Sequence, residues 1–205
     1  MSQNYSDPVG FNVSKYGVGC RALLSGDRLC ELGPGVPEAD RRLDLAALDD
    51  AALFDTRKVV DSTMAAACRA GVWLLHDFLD QSHTISQGIH TPTGSYWHGI
   101  MHRREPDYFN AKYWFQRVGG HPVFGPLCAA ARRLASQAPL DRSAAFLMEQ
   151  EAWEPFAFID LCEAVVRGRS KQESLCRQIA RAEWELLFDY SYRLAVGEGL
   201  AGGGK

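Results

Sequence analysis

The sequence predicts an all-α protein: a single-domain helical bundle with an irregular N-terminal arm. Alanine and leucine dominate from residue 43 to about 87, and this stretch contains no proline. Further along, apolar residues recur at three- and four-residue spacing, and proline, glycine and capping residues divide the chain into segments of helical length. The 205 residues are typical of one domain and are enough to bury a substantial core.

Three regions follow from composition. Residues 1–42 are rich in glycine and proline, which predicts an irregular arm packed over the body, with one short hairpin near residues 18–24. Residues 43–196 form the predicted helical domain. Residues 197–205 are mostly glycine, and we expect a disordered tail there.

Capping residues and prolines define the bounds of the expected helices. A helix over 62–82 has Asp61 or Ser62 as its N-cap, and a helix capped by Thr93 or Ser95 ends before Pro106. Ser170-Lys-Gln-Glu173 is a capping-box pattern that predicts the start of the longest helix. The other expected helices cover residues 45–54, 107–118, 127–137, 142–153 and 155–167.

Overall composition excludes several classes of protein. A formal charge of −3 argues against nucleic-acid binding, which needs a clustered surplus of basic residues. No stretch approaches the ~20 apolar residues of a membrane span, so we expect no membrane insertion. The six cysteines are scattered without a C-x-x-C pair, which argues against a zinc-thiolate site and favours reduced thiols in a cytoplasmic protein. A homodimer is an open alternative.

All six histidines fall in a 46-residue window that begins at His76 and ends at His121. Within it, the same i, i+4, i+7 spacing occurs twice, and on a helix this spacing places three side chains on one face. The two sets are His76, Asp80 and His83, and His98, His102 and Glu105.

Two helices joined by a short loop are expected to pack antiparallel and to bring these sets together. Imidazole nitrogen and carboxylate oxygen are ligands of zinc, iron and manganese, and helical bundles build metal sites from such inward-pointing residues. The expected metal ligands are His76, His83, His98 and His102. Two alternatives remain open: a metal-free catalytic or binding site, and a structural hydrogen-bond network, because a buried polar face needs partners of some kind.

Other residues of the segment complete the hypothesis. Glu105 or Asp80 is the expected general base, and His121, in a tight turn before Pro122, is a further catalytic candidate. Basic residues either pair with nearby acids, as Arg117 also can, or clamp an anion through the arginine fork. The expected substrate-binding residues are Arg103, Arg104, Asn110 and Lys112.

Part of this segment resembles the signature of an uncharacterised bacterial protein family. The resemblance rests on Trp97-His-Gly-Ile-Met-His-Arg-Arg-Glu-Pro-Asp-Tyr108, on Asn110-Ala-Lys-Tyr-Trp114 and on Val118-Gly-Gly-His-Pro122. It implies that the defining positions are His98, His102, Arg103, Arg104, Glu105, Asp107, Asn110, Lys112 and His121. It implies no activity.

Together these features predict a small metal-dependent enzyme, of hydrolase or lyase type, that acts on a small anionic metabolite. The alternative is a metal-free binding module or accessory subunit that holds an anionic ligand through Arg103 and Arg104. A purely structural role for the polar cluster is the third hypothesis.

Overall fold

The fold is built around two buried helices, one near the middle of the chain and one close to its C-terminal end. The computed structural model describes residues 8–26 and 28–198. It is 65% helical, with eleven α-helices and no strand among the residues described, which confirms the all-α prediction. Across the same residues, no helix has the length and apolarity needed to cross a membrane.

The helices follow one another with short connections, and three 3₁₀ turns accompany them at Val13–Lys15, Ala39–Arg41 and Arg142–Ala144. In chain order the α-helices are α1 (Val18–Leu24), α2 (Arg42–Ala46), α3 (Asp50–Phe54), α4 (Ser62–Leu75), α5 (Leu79–Ser86), α6 (Pro92–Arg104), α7 (Tyr108–Val118), α8 (Phe124–Ala135), α9 (Phe146–Glu149), α10 (Pro155–Val166) and α11 (Glu173–Ala195).

The core lies where α4, α6 and α11 meet. Twelve of the thirteen residues of α6 are buried, and so is most of α11. The indole of Trp184 donates a hydrogen bond of 2.8 Å to the carbonyl oxygen of Gly71. A Cβ atom on Gly71 would lie 2.7 Å from the ring of Trp97, so glycine permits this close approach of α4 and α6.

Local capping chemistry explains several helix ends. Asp61 accepts hydrogen bonds from the first backbone amides of α4, as the sequence predicted, and Asp107 accepts one from the amide of Asn110 in α7. Helix α6 begins earlier than expected. Thr91 is its cap and Pro92 occupies its first turn, where a missing amide hydrogen costs nothing.

Four other expectations are wrong. Residues 18–24 form a helix rather than a hairpin, with Cys20 and Leu23 buried in the core. The helix expected over 45–54 divides into α2 and α3, because Asp49 caps a new helix start. Residues 142–153 contain only a 3₁₀ turn and α9. The longest helix begins at Glu173 as predicted, but its capping box does not form, because the hydroxyl of Ser170 donates to Asp141 and accepts from the amide of Gln172. The disordered tail predicted for 197–205 lies outside the described residues from 199 onward.

A further correction matters most for the site. The single helix predicted over 62–82 is interrupted: α4 ends at Leu75, and α5 begins only at Leu79. Asp77 between them adopts a positive φ of 64°, a conformation that aspartate tolerates better than most residues. Its carboxylate accepts hydrogen bonds from Arg28 and Arg104, which hold the break in place. The chain therefore turns, and α5 packs against both α4 and α6.

Candidate metal centre

Three histidine side chains converge between α5 and α6. His83 comes from α5, and His98 and His102 lie one turn apart on α6. One potential ligand atom from each lies within 4.8 Å of the other two, a grouping found nowhere else in the described part of the chain. The ring centres of His83 and His98 are 4.7 Å apart, as are those of His98 and His102.

Hydrogen bonds to the outer nitrogens orient two of these rings. The hydroxyl of Ser86 donates to the carbonyl oxygen of His83, so it accepts from Nδ1 of His98, 3.0 Å away. Nδ1 of His102 donates to Oε2 of Glu105 at 3.1 Å. Both rings then carry their proton on Nδ1 and have their lone pair on Nε2, the tautomer that is usual when histidine binds a metal.

The protein also holds these rings in the neutral state. Burial, reinforced by the nearby His102 and His83, lowers the pKa of His98 to about 3. Burial lowers the pKa of His102 as well, although Glu105 acts in the opposite direction. Neutral imidazole is the form that ligates a metal, so no proton has to be displaced from Nε2 at neutral pH.

Helix α7 covers one side of the three-histidine cluster. The ring centre of Trp114 is 4.1 Å from that of His98, and Nδ2 of Asn110 is 3.1 Å from Nε2 of His102. Asn110 thus donates to the lone pair of His102. For Nε2 of His102 to bind a metal, the side-chain amide of Asn110 must rotate away from it.

The spacing of the cluster is slightly wider than a metal requires. An ion equidistant from three atoms that are up to 4.8 Å apart would be up to about 2.8 Å from each, whereas zinc–nitrogen bonds are about 2.0–2.1 Å. The nitrogens would therefore close on the ion by up to about 0.7 Å each. His83 is half-buried, whereas His98 and His102 are buried, and the side chain of Glu105 at the rim is 34% exposed.

The predicted ligand His76 lies elsewhere. Because α4 ends before it, the spacing from His76 to His83 no longer defines one helix face, and that expectation is wrong. Nδ1 of His76 contacts Oε2 of Glu38 at 2.7 Å, and Nε2 contacts the carbonyl oxygen of Leu23 at 2.9 Å. Both nitrogens are engaged with the N-terminal segment, and His76 is outside the three-histidine cluster.

The other catalytic candidates are also outside this cluster. Asp80 is exposed and lines a cleft of about 290 Å³ together with Arg42. His121 accepts from the amide of Val123 through Nδ1 and donates from Nε2 to Thr93 at 3.2 Å, and burial lowers its pKa to about 4. These bonds describe a satisfied core histidine, and catalytic roles for Asp80 and His121 stay predictions.

The expected substrate-binding cations have acidic partners inside the protein. Arg103 pairs with Glu183, and both side chains are almost fully buried. Arg104 pairs with Asp77 and also donates to three backbone carbonyl oxygens. Because both arginines directly follow His102 on α6, they point away from the face of His98 and His102, and they are buried in the core. Lys112 pairs with Asp160 of α10.

The sequence did not single out two residues of the site. Ser86 lies one turn after His83, but its hydroxyl orients a histidine of the next helix, which only the packing of α5 on α6 reveals. Trp114 lies in the aromatic run Tyr113-Trp-Phe115, which by itself is typical of a helix core and does not indicate a contact with His98. Asn110 was expected to bind substrate, and it contacts His102 directly.

Comparisons of the chain with protein-family models, with curated proteins and with solved structures give no match. The resemblance around Trp97–Tyr108 is therefore not supported by a family match, and the geometry of the three-histidine cluster is the basis for a functional hypothesis.

Proposed function

We propose that the chain is a small metal-dependent enzyme of hydrolase or lyase type, in which His83, His98 and His102 hold a divalent zinc, iron or manganese ion. One observation carries the proposal: imidazoles from two helices converge with their ligand atoms within 4.8 Å of one another. The outer nitrogens of two rings have the hydrogen-bond partners that orient metal ligands.

Three protein ligands suit a catalytic rather than a structural ion. Catalytic zinc commonly has three side-chain ligands and leaves the fourth position to water or substrate. At that position the metal would polarise a substrate oxygen, or lower the pKa of a bound water from 15.7 to about 7 and so supply hydroxide. Since Glu105 already accepts from His102, we assign Glu105 the role of positioning this ligand.

The charge of the proposed centre favours an anionic substrate. All three ligands are neutral imidazoles, so the ion would keep its full double positive charge within a half-buried site. A carboxylate or phosphate oxygen compensates that charge better than a neutral group does. A small anionic metabolite is therefore the proposed substrate.

The hydrogen bond from Asn110 to His102 supports the competing hypothesis of a metal-free hydrogen-bond network. Metal analysis separates the two. Protein purified without a histidine tag should contain about one equivalent of metal, or should bind one equivalent of Zn²⁺ or Co²⁺ after chelator treatment.

Histidine variants then test the ligand set. We expect His98→Ala and His102→Ala to lose stoichiometric metal, whereas His76→Ala should keep it. His90→Ala is the matched control, because His90 is exposed and outside the cluster. Circular dichroism of each variant checks that it is folded.

Two results would contradict the proposal. One is wild-type protein that binds no metal and whose melting temperature is unchanged by Zn²⁺, Fe²⁺ and Mn²⁺. The other is equal metal loss in His90→Ala and His98→Ala. If metal binds, hydrolase and lyase assays on phosphorylated and carboxylated metabolites follow, and activity should disappear with chelator and return with the metal.

A further inference from the structure

Arg117 differs from the other basic residues around the three-histidine cluster. Arg103, Arg104 and Lys112 each pair with a carboxylate. Arg117, an exposed residue in the last turn of α7, lies within ion-pair distance of no acidic side chain in residues 8–26 and 28–198. Its positive charge is therefore available to a ligand.

Two aromatic rings hold this guanidinium. Its central carbon lies 5.4 Å from the ring centre of Trp114 and 5.9 Å from that of Tyr113. Stacking engages the flat face of a guanidinium and leaves the N–H groups at its edge free for hydrogen bonds. The rings also limit the motion of the side chain, so less conformational entropy is lost when an anion binds.

The position of Arg117 relates it to the cluster. Asn110, Trp114 and Arg117 have i, i+4, i+7 spacing on α7 and share one helix face. Asn110 contacts His102 and Trp114 contacts His98, so α7 runs antiparallel to α6 and Arg117 continues the row beyond His98.

The ring of Trp114 contacts both Arg117 and His98 and therefore sets an upper limit on the distance between them. The guanidinium carbon is 5.4 Å and the His98 ring centre 4.1 Å from the centre of Trp114, so the two are at most about 9.5 Å apart. A small metabolite can extend over this distance.

We propose that Arg117 is the oxyanion-binding residue of the site. The ligand class is a small molecule with a carboxylate or phosphate group at one end, bound in a bidentate manner by the guanidinium edge, and a reacting oxygen at the other. The inference rests on the proposed function, because the metal at the three histidines is the second anchor.

The test measures binding of inorganic phosphate and of succinate by calorimetry at low ionic strength, with metal-free and with Zn²⁺-loaded protein. The metal-free arm isolates Arg117 from direct binding to the ion. We expect Arg117→Gln to weaken binding at least tenfold in both arms and Arg117→Lys to weaken it less, with metal stoichiometry unchanged. The probe with the tighter wild-type affinity identifies the preferred oxyanion.

Arg42→Gln is the matched control. Arg42 is also exposed and stacked, 5.8 Å from the ring centre of Phe78, and within the part of the chain described it too forms no ion pair with a carboxylate. Its loss should leave phosphate and succinate binding unchanged. An equal loss in this control would overturn the inference, as would wild-type protein that binds neither probe, or an Arg117→Gln affinity within twofold of wild type.

Failure of the metal hypothesis would look different. If wild-type protein binds no metal but its phosphate affinity depends on Arg117, the oxyanion site stands and the metal-dependent enzyme does not. If metal binds but the affinity for phosphate and succinate does not depend on Arg117, the metal-dependent enzyme remains supported and the assignment of Arg117 is wrong.

Discussion

The buried pair of Arg103 and Glu183 provides a direct test of whether Arg103 is structural or binds substrate. The two side chains are 3% and 0% exposed, and Glu183 also accepts a hydrogen bond of 3.1 Å from the hydroxyl of Tyr96. Glu183→Gln keeps the shape of the side chain and an oxygen acceptor for Tyr96. It removes the negative charge, which leaves the guanidinium buried beside the ring of Phe158 without compensation.

Breaking a buried ion pair on one side costs about 3–5 kcal/mol in the free energy of unfolding. For a chain of this size, each kcal/mol lowers the melting temperature by roughly 2–4 °C, so we expect a decrease of roughly 6–20 °C. Urea denaturation followed by far-ultraviolet circular dichroism measures the free energy. Asp160→Asn is the control, because the exposed pair of Asp160 with Lys112 should contribute no more than about 1 kcal/mol.

A second variant distinguishes the loss of the ion pair from a general effect of substituting Glu183. The double variant Arg103→Met, Glu183→Leu removes both charges and should recover much of the lost stability. A loss below about 1 kcal/mol in Glu183→Gln would refute the reasoning. Arg103 would then be solvated, and its role as a substrate-binding residue would regain support.

Three further predictions concern the cluster and the core. Glu105→Gln should weaken metal binding about 10–100-fold, because the carboxylate that orients His102 is lost, and a competitive titration with a zinc chelator measures this. Gly71→Ala should destabilise the fold by about 1–3 kcal/mol in urea denaturation, since the new Cβ meets the ring of Trp97 at 2.7 Å. His121 is expected to make unfolding pH-dependent, because burial lowers its pKa in the folded protein from the usual 6.5 to about 4. Its stabilising contribution is therefore complete above pH 6.5 and decreases by roughly 3 kcal/mol as the pH falls towards 4. His121→Gln should abolish this part of the pH dependence.

Controls accompany these predictions. Gly125→Ala, on α8 with open space around its Cβ position, should leave stability unchanged or slightly increased. Unaltered zinc affinity in Glu105→Gln would show that His102 needs no carboxylate partner. Wild-type and His121→Gln proteins with parallel stability curves between pH 7 and pH 4 would show that His121 is not kept neutral by burial.

The half of the site on α6 could be predicted from the sequence because the helix is interrupted nowhere between its ends. Thr91 and Pro92 start it, Pro106 stops it, and within these limits the spacing of His98, His102 and Glu105 directly gives a shared face. The observed bond from His102 to Glu105 follows from that local geometry.

The arrangement of α4 and α5, and with it the positions of His76 and His83, could not be predicted, because a long-range interaction determines where the helix breaks. The break at Asp77 depends on Arg28 and Arg104, which are 49 and 27 positions away in the sequence. No strong helix breaker marks it, since residues 72–86 contain neither glycine nor proline. His83 still reaches the cluster because α5 restarts and packs on α6, whereas His76 remains with the N-terminal segment.

The lone pair on Nε2 of His102 has two competing partners. In the structure it accepts from the amide of Asn110, and in the proposed enzyme it binds the metal. A neutral hydrogen bond contributes only about 0.5–1.5 kcal/mol net, whereas structural zinc in zinc-finger peptides contributes about 10–16 kcal/mol over four ligands, which is roughly 3 kcal/mol for each ligand. An available metal would therefore displace the amide with little loss of affinity. Asn110 satisfies a buried nitrogen that would otherwise be costly to leave unpaired, so the three histidines can be held in a ligand-ready arrangement before any ion binds.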